Sequence, residues 1–163
     1  MVNNKAIKLL VMDVDGTLTD GKIYMGASGE MMKAFNIKDG YAICNILPKY
    51  GILPVIITGR QSQIVLNRCS ELNIKDVYQN VSDKVEKLKE ILSERNFSMC
   101  NVAYIGDDSN DIPCMMTVKD GNGLVGCPSD AVKKVKELAD FVSEESGGNG
   151  AVREFIEWII ANN

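Results

Sequence analysis

A chain of 163 residues has the usual size of one domain, so we expect one domain over residues 1–163 and no second large one. An apolar fraction of 45% is enough to fill a core, and a net charge of −4 at pH 7 argues against a broad electrostatic surface for nucleic acid or anionic lipid. The absence of histidine excludes Ser-His-Asp and Cys-His catalysis and histidine-bound metals, so carboxylates must carry any acid–base chemistry.

The first predicted elements are a buried strand and a β-hairpin. Residues 7–14 are almost continuously apolar and β-branched, which is typical of a strand covered on both faces of a parallel sheet. Two short segments, 22–25 and 31–36, flank a glycine-bounded turn at 26–29. This arrangement predicts a hairpin with a moderately long loop directly after the first strand.

Beyond the hairpin, helical and strand patterns alternate to the end of the chain. The predicted elements are helix 41–50 ended by Gly51, strand 53–58, helix 61–72, strand 77–79, helix 83–95, strand 102–105, helix 110–118, strand 123–125, helix 130–138, strand 141–142 and helix 151–160. Such alternation predicts an α/β fold with a mostly parallel sheet. We therefore expect a Rossmann-like, three-layer α/β/α architecture with a small β-hairpin flap after the first strand.

Four polar features lie at the carboxyl ends of predicted strands or follow them. They are Asp13 with Asp15, Thr58 with Gly59, Lys84, and the segment 106–111 (GDDSND). Because open parallel sheets place their sites beyond the carboxyl ends of the strands, we expect these features to meet in one crevice.

Up to five carboxylates would share this crevice: Asp13, Asp15, Asp107, Asp108 and Asp111. Their mutual repulsion would raise their pKa values and destabilise the fold unless a cation compensates. Oxygen ligands without histidine or cysteine favour Mg²⁺. Since the charge of a bound ion inverts the local electrostatics, Mg²⁺ beside a lysine would make the crevice a receptor for a phosphate dianion.

Each feature alone also has a purely structural interpretation. The DxDG sequence is compatible with a turn or a calcium-loop fragment, GDDSND with a polar loop, Thr58-Gly59 with a strand-ending turn and Lys84 with a solvated helix residue. All four occur in order, each at the end of a predicted strand, and this combination favours a catalytic site.

The same residues resemble a known family. DVDGT at 13–17, ITG at 57–59, Lys84 and GDDSND at 106–111 resemble the four motifs of the haloacid dehalogenase-like phosphohydrolases. The resemblance extends to KAFNIKDGYAI at 33–43, TGRQS at 58–62, NVAYIGDD at 101–108 and GGNGAVRE at 147–154. These segments are similar to the capless subfamily that hydrolyses 3-deoxy-D-manno-octulosonate 8-phosphate (KDO 8-phosphate).

The resemblance implies roles for the motif residues. Asp13 would be the nucleophile and Asp15 the acid and base, with Mg²⁺ held by Asp13, the backbone carbonyl of Asp15, and Asp107. The remaining assignments are Thr58, Gly59 and Lys84 as phosphate-binding residues, and Asp108 and Asp111 as support for the metal, the water and Lys84. The implied function is phosphomonoester hydrolysis supplying a lipopolysaccharide sugar acid.

Specificity must come from outside these motifs. Only about 38 residues separate Asp15 from Leu53, which leaves no room for a lid domain. The resemblance implies a homotetramer in which hairpins pack around a central axis and neighbouring subunits cover the site. The apolar hairpin residues Met25, Met31, Met32 and Phe35 fit that interface, or they cover their own sheet.

Two arginines and a glycine-rich segment carry the substrate prediction. The resemblance places Arg60 and Arg68 near the sugar-acid carboxylate, although both also fit surface arginines of a helix. It places 147–153 over the site of an adjoining subunit, the alternative being a flexible turn before a helix. In the family that the sequence resembles, relatives acting on nine-carbon sugar acids can carry a glutamate at the position of Arg60. The resemblance therefore implies the eight-carbon substrate rather than N-acylneuraminate 9-phosphate or a related nine-carbon acid. The alternative to an enzyme is a noncatalytic oligomerisation or regulatory module, related to the domains attached to sugar-acid cytidylyltransferases.

The cysteines and the hydropathy indicate the compartment. Five cysteines, odd in number and without a CxxC pair, suggest neither a disulfide framework nor a zinc site, and we expect them to be buried thiols in a reducing cytosol. Apolar stretches under ten residues are too short for a membrane span of about 20. We therefore expect a cytoplasmic protein without membrane or nucleic-acid partners.

Overall fold

A computed structural model describes residues 6–162 of the chain. Its strands are β1 (Leu9–Met12), β2 (Tyr24–Gly26), β3 (Gly29–Met32), β4 (Leu53–Ile57), β5 (Asp76–Tyr78), β6 (Val102–Ile105), β7 (Leu124–Cys127) and β8 (Phe141–Val142). Its helices are α1 (Ile37–Tyr41), α2 (Gln63–Glu71), α3 (Lys84–Arg95), α4 (Ile112–Asp120), α5 (Lys133–Leu138) and α6 (Ala151–Asn162).

Six strands form one parallel sheet in the order β5-β4-β1-β6-β7-β8. Helices cover both faces of this sheet and pack on two separate apolar clusters. One cluster joins the sheet to α2, α6 and the segment that follows α1, and the other joins it to α3, α4 and α5. The predicted three-layer α/β/α fold is confirmed. The order also explains the unbroken apolar run at the start of the chain, because β1 lies in the middle of the sheet and is buried on both faces.

The β-hairpin flap is a separate two-stranded sheet of β2 and β3. Its loop has only two residues, Ala27 and Ser28, because Gly26 and Gly29 belong to the strands themselves. Gly29 has φ +120°, a conformation that a residue with a side chain rarely adopts. The hairpin was predicted correctly, but the prediction of a moderately long loop was wrong.

The helical segment after the flap begins four residues earlier than predicted. The side chain of Asn36 accepts a 2.8 Å hydrogen bond from the Lys38 backbone N–H and so caps α1 at its first turn. The segment continues as a π-helical turn (Ala42–Ile46) and a 3₁₀ turn (Leu47–Tyr50). It ends as predicted at Gly51, where φ is +66°.

All five cysteines are free thiols. Cys69, Cys114 and Cys127 are buried as expected, whereas Cys44 and Cys100 are partly exposed. None of the helices within residues 6–162 combines the length and apolarity needed to cross a bilayer.

Candidate active site

The carboxyl end of β1 presents Asp13 to Lys84. β1 ends at Met12, and the backbone N–H of Asp13 donates to the carbonyl of Ile105 at 3.1 Å, which continues the ladder with β6 by one residue. Lys84 is the first residue of α3, and its Nζ donates to Asp13 Oδ1 at 2.8 Å. Both side chains are about 95% buried, so the ion pair is shielded from water.

Asp111 anchors this pair from the other side. Its Oδ1 accepts from Lys84 Nζ at 2.8 Å and from the Tyr104 hydroxyl at 2.7 Å. Its Oδ2 accepts from the backbone N–H groups of Asp107 and Asp108 at 3.0 and 3.2 Å. Since four donors already occupy this fully buried carboxylate, Asp111 is suited to holding Lys84 and the 106–111 loop in place.

Asp107 completes a cluster of three carboxylates. One oxygen each of Asp13, Asp107 and Asp111 lies within 4.8 Å of the others. Burial, followed by repulsion from Asp13 and Asp111, raises the pKa of Asp107 to about 8. Burial and the Asp111 charge raise the pKa of Asp13 to about 6, although Lys84 opposes that rise. Burial lowers the pKa of Lys84, but the Asp13 and Asp111 charges outweigh it and raise that pKa.

These charges leave an acidic site that a single lysine does not neutralise. Because Asp111 has its four hydrogen bonds, Asp13 and Asp107 are the carboxylates with capacity for a further cation. A set of carboxylate oxygens without nitrogen or sulfur fits Mg²⁺. The donor chemistry and the raised pKa values therefore fit a divalent cation between these two side chains.

Two glycines allow the carboxylates to approach the backbone. A Cβ on Gly16 would lie 2.0 Å from Asp107 Oδ2, and Gly16 also has φ +89°. A Cβ on Gly106 would lie 2.3 Å from the carboxylate carbon of Asp111. Gly16 thus allows the close approach of Asp107 from another strand end, and Gly106 allows that of Asp111 from its own loop.

An open cleft of about 280 Å³ lies above the Asp13–Lys84 pair. Its lining residues are Asp13, Asp15, Thr58, Gly59, Arg60, Asp108, Ser109 and Asn110. The backbone of Thr58 is fixed by hydrogen bonds to Tyr78 and Val81 on either side. Residues of three predicted strand-end features therefore meet at the cleft: Asp13 with Asp15, Thr58 with Gly59, and the 106–111 loop. Lys84, the fourth feature, lies beneath them and contacts Asp13, as the sequence predicted.

Asp15 belongs to an ion-pair network that the sequence did not reveal. Its carboxylate is paired with Lys33 Nζ, and Arg60 Nε lies 3.9 Å away. Lys33 also lies 2.8 Å from Glu30 on β3, and Arg60 lies 3.5 Å from the same glutamate. Lys33 opens the KAFNIKDGYAI segment, but neither it nor Glu30 belongs to the four strand-end motifs. Only the folding of the hairpin brings these two side chains to Asp15.

Arg68 lies outside the cleft of its own chain, whereas Arg60 lines that cleft. Its guanidinium stacks over the ring of Phe35 at 5.7 Å and donates to Glu71 at 2.7 Å. The reason is the direction of α2, which runs away from the strand ends. Arg68, eight residues after Arg60, therefore lies against α1 rather than at the cleft. Phe35 is also partly buried against the core, so it does not belong with the exposed hairpin methionines.

The glycine-rich segment 147–150 packs against the loop that follows β1 in the same chain. The Gly148 N–H donates to the Thr17 carbonyl at 3.1 Å, and a Cβ on Gly147 would lie 1.9 Å from the Gly16 carbonyl oxygen. Asp39, which is buried, accepts from the Arg153 N–H at 2.8 Å near the start of α6. These internal contacts make the segment an ordered turn before α6.

The chain is similar to known hydrolases over most of its length. A family model for haloacid dehalogenase-like hydrolases matches residues 70–156. The 3-deoxy-D-manno-octulosonate 8-phosphate phosphatase of Escherichia coli (strain K12) is 43% identical over 154 residues, covering 94% of this chain and 79% of that protein.

Two solved structures resemble the whole fold. A crystal structure of the phosphatase of the same name from Yersinia pestis has a TM-score of 0.87 and 42% identity, covering 95% of this chain and 81% of that chain. The phosphatase from Moraxella catarrhalis, crystallised with a magnesium ion, a phosphate ion and KDO, has a TM-score of 0.88 and 36% identity, covering 96% of this chain and 87% of that chain.

Proposed function

This chain belongs to the haloacid dehalogenase-like hydrolases, and on that premise we propose that it is a Mg²⁺-dependent phosphomonoesterase acting on KDO 8-phosphate. One observation carries the chemistry. Lys84 Nζ lies 2.8 Å from both Asp13 and Asp111 beneath an open cleft, with the carboxylate of Asp107 in the same cluster. This arrangement pairs a nucleophilic carboxylate with the cations that a phosphate dianion requires.

The residues of the chain can divide the reaction into two displacements. An Asp13 oxygen attacks phosphorus while the P–O ester bond breaks, and Asp15 gives its proton to the departing alcohol. Water then attacks the phosphorus of the aspartyl phosphate, Asp15 takes the proton of that water, and inorganic phosphate leaves with Asp13 restored. Lys84, the Thr58 hydroxyl and the Gly59 backbone would hold the phosphoryl oxygens.

Mg²⁺ would be held by Asp13, Asp107 and the backbone carbonyl of Asp15, with Asp108 and Asp111 in support. When bound, the ion supplies positive charge for the phosphoryl oxygens. The elevated pKa of Asp107, about 8 without a cation, supports this assignment because a divalent ion would replace the proton that burial favours.

Turnover of p-nitrophenyl phosphate tests the reaction type. Asp13→Asn is expected to abolish Mg²⁺-dependent release of p-nitrophenol, and chelation of the metal is expected to do the same to the wild type. Asp120→Asn is the matched control, since Asp120 is exposed at the last residue of α4. Undiminished activity of Asp13→Asn would refute the proposed nucleophile. A wild type inactive on every phosphate ester would instead favour a noncatalytic module.

The eight-carbon substrate is supported by similarity across nearly the whole chain to phosphatases named for KDO 8-phosphate, one of which was crystallised with KDO. Arg60, half exposed at the cleft, is the residue we propose for the sugar-acid carboxylate. Phosphate release from a panel of sugar phosphates would test this. A preference above tenfold for N-acylneuraminate 9-phosphate or another ester would overturn the substrate assignment.

We further propose that the chain forms a homotetramer in which neighbouring subunits cover the cleft. The support is a flap that exposes three methionines, with Met25 62%, Met31 67% and Met32 52% exposed, beside a cleft that its own chain leaves open. In that assembly Arg68 would contribute to a site only from another subunit. Sedimentation of the wild type and of Met31→Lys tests this, and a wild-type monomer would refute it.

We also propose a cytoplasmic location and a single functional domain over residues 1–163. Five free thiols support a reducing compartment. Cell fractionation with an antibody against the tagged full-length chain would test the location.

A further inference from the structure

We propose that Lys33 is a positioning residue that holds the carboxylate of Asp15 toward the leaving group of the substrate and ties it to the hairpin flap. The inference rests on the proposed phosphatase reaction. It concerns a residue outside the four motifs, placed at the cleft only by the folded hairpin.

The side chain of Lys33 is buried, whereas lysine side chains are usually exposed. Its side chain is 1% exposed, and its Nζ faces two carboxylates, Asp15 Oδ1 and Glu30 Oε1. Charge-assisted hydrogen bonds from one buried ammonium to both carboxylates restrain the side chain of Asp15.

Glu30 fixes this lysine to the body of the protein. Glu30 lies on β3, and its Oε2 accepts a 2.9 Å hydrogen bond from the Ser62 hydroxyl, directly before α2. The Ser62 N–H donates in turn to the Gln79 side chain at 2.7 Å, just beyond β5. The position of Asp15 is thereby connected through Lys33 and Glu30 to two elements of the main fold.

Arg60 shares both carboxylates but differs from Lys33 in exposure. Its side chain is half exposed, lines the cleft and stands 3.5 to 3.9 Å from Glu30 and Asp15. Lys33 does not line the cleft. The two cations therefore have separate tasks: Arg60 is available to an anionic group of the substrate, whereas Lys33 is committed to Asp15.

A restraint on Asp15 matters most when the leaving group needs a proton. Departure of a sugar alkoxide requires proton donation, which contributes about 10²- to 10⁴-fold in such reactions. Departure of p-nitrophenolate needs little assistance. Loss of Lys33 should therefore slow the first displacement with a sugar phosphate far more than with p-nitrophenyl phosphate.

Single-turnover measurements test this, because they isolate the first displacement from the hydrolysis of the aspartyl phosphate that both substrates share. We expect Lys33→Met to slow alcohol release from KDO 8-phosphate at least tenfold more than p-nitrophenol release. Glu30→Gln, which keeps the lysine and a hydrogen-bonding partner, is expected to show a smaller loss with the same bias. Lys22→Met, at an exposed lysine just before β2, is the control and should match the wild type.

The outcomes separate the inference from the function on which it rests. Equal losses on both substrates in Lys33→Met and Glu30→Gln, or no loss in either, would refute the positioning role while the wild type remains a phosphatase. If Lys33→Met does not fold, the bias in Glu30→Gln decides. A wild type that releases neither alcohol would refute the proposed function and this inference together.

Discussion

Replacing Asp107 by asparagine should stabilise the metal-free protein while removing its function. Asp107→Asn keeps the size of the side chain and an oxygen that can accept the 3.3 Å hydrogen bond from the Thr17 hydroxyl. It removes a negative charge that shares a buried cluster with Asp13 and Asp111. The expected gain comes from relieving repulsion that the fold tolerates for the sake of metal binding.

The pKa of Asp107 gives the magnitude and its pH dependence. That pKa rises from 3.8 in the unfolded chain to about 8 in the fold, mainly through burial and then through Asp13 and Asp111. At about 1.4 kcal/mol for each pH unit between the two values, the full penalty at high pH is about 6 kcal/mol. Because the carboxylate is partly exposed and the repulsion is shared, we expect Asp107→Asn to gain about 1–3 kcal/mol.

The sign of the pH dependence follows from proton binding. Below pH 4 both states hold the proton, so the wild type carries no penalty from this group. Between pH 4 and 8 the unfolded chain loses the proton that the folded protein keeps, and the stability of the wild type falls as pH rises. The advantage of Asp107→Asn should therefore grow across this window and then level off.

Urea unfolding in a chelator, at intervals from pH 4 to 9, measures this difference. In a second series Mg²⁺ replaces the chelator. At about 100 times its dissociation constant, Mg²⁺ should stabilise the wild type by about 2.7 kcal/mol and Asp107→Asn by much less. Asp120→Asn controls for net charge, because it removes the same charge from an exposed helix end. A variant less stable than the wild type at pH 8 without metal would refute the electrostatic reasoning.

Three further substitutions test other parts of the site. Lys84→Met should lower the free energy of unfolding by about 3–5 kcal/mol in urea titrations, because it leaves buried carboxylates without their cation. Gly16→Ala should weaken Mg²⁺ activation of turnover at least tenfold, since its Cβ displaces a carboxylate, whereas Gly51→Ala meets no atom within 4 Å and should change only stability. Tyr104→Phe should cost about 1.5–3 kcal/mol in unfolding experiments by removing a hydrogen bond to the charged Asp111, and an unchanged midpoint would argue against that bond.

The sequence by itself determined the sheet and the part of the site that the strand-end motifs form. Continuous apolar segments mark β1, β4 and β6, because central strands of a sheet covered on both faces favour apolar side chains. The carboxyl ends of parallel strands share one edge, so residues directly after those strands must lie near one another. For this reason the sequence alone predicts that Asp13 and Asp107 lie near each other.

Only the tertiary structure decided which side chains surround the motif residues at the strand ends. Lys33 reaches Asp15 because the hairpin folds back toward the loop that follows β1, and residue spacing in the sequence does not predict that direction. Arg68 leaves the cleft because α2 turns it beneath α1 and onto Phe35, although it lies only eight residues beyond Arg60. Local patterns encode which backbone segments become strands and helices, whereas contacts between separate elements depend on how those elements pack. The residues predicted from strand ends were therefore found together, and those on the hairpin and the helix required the fold.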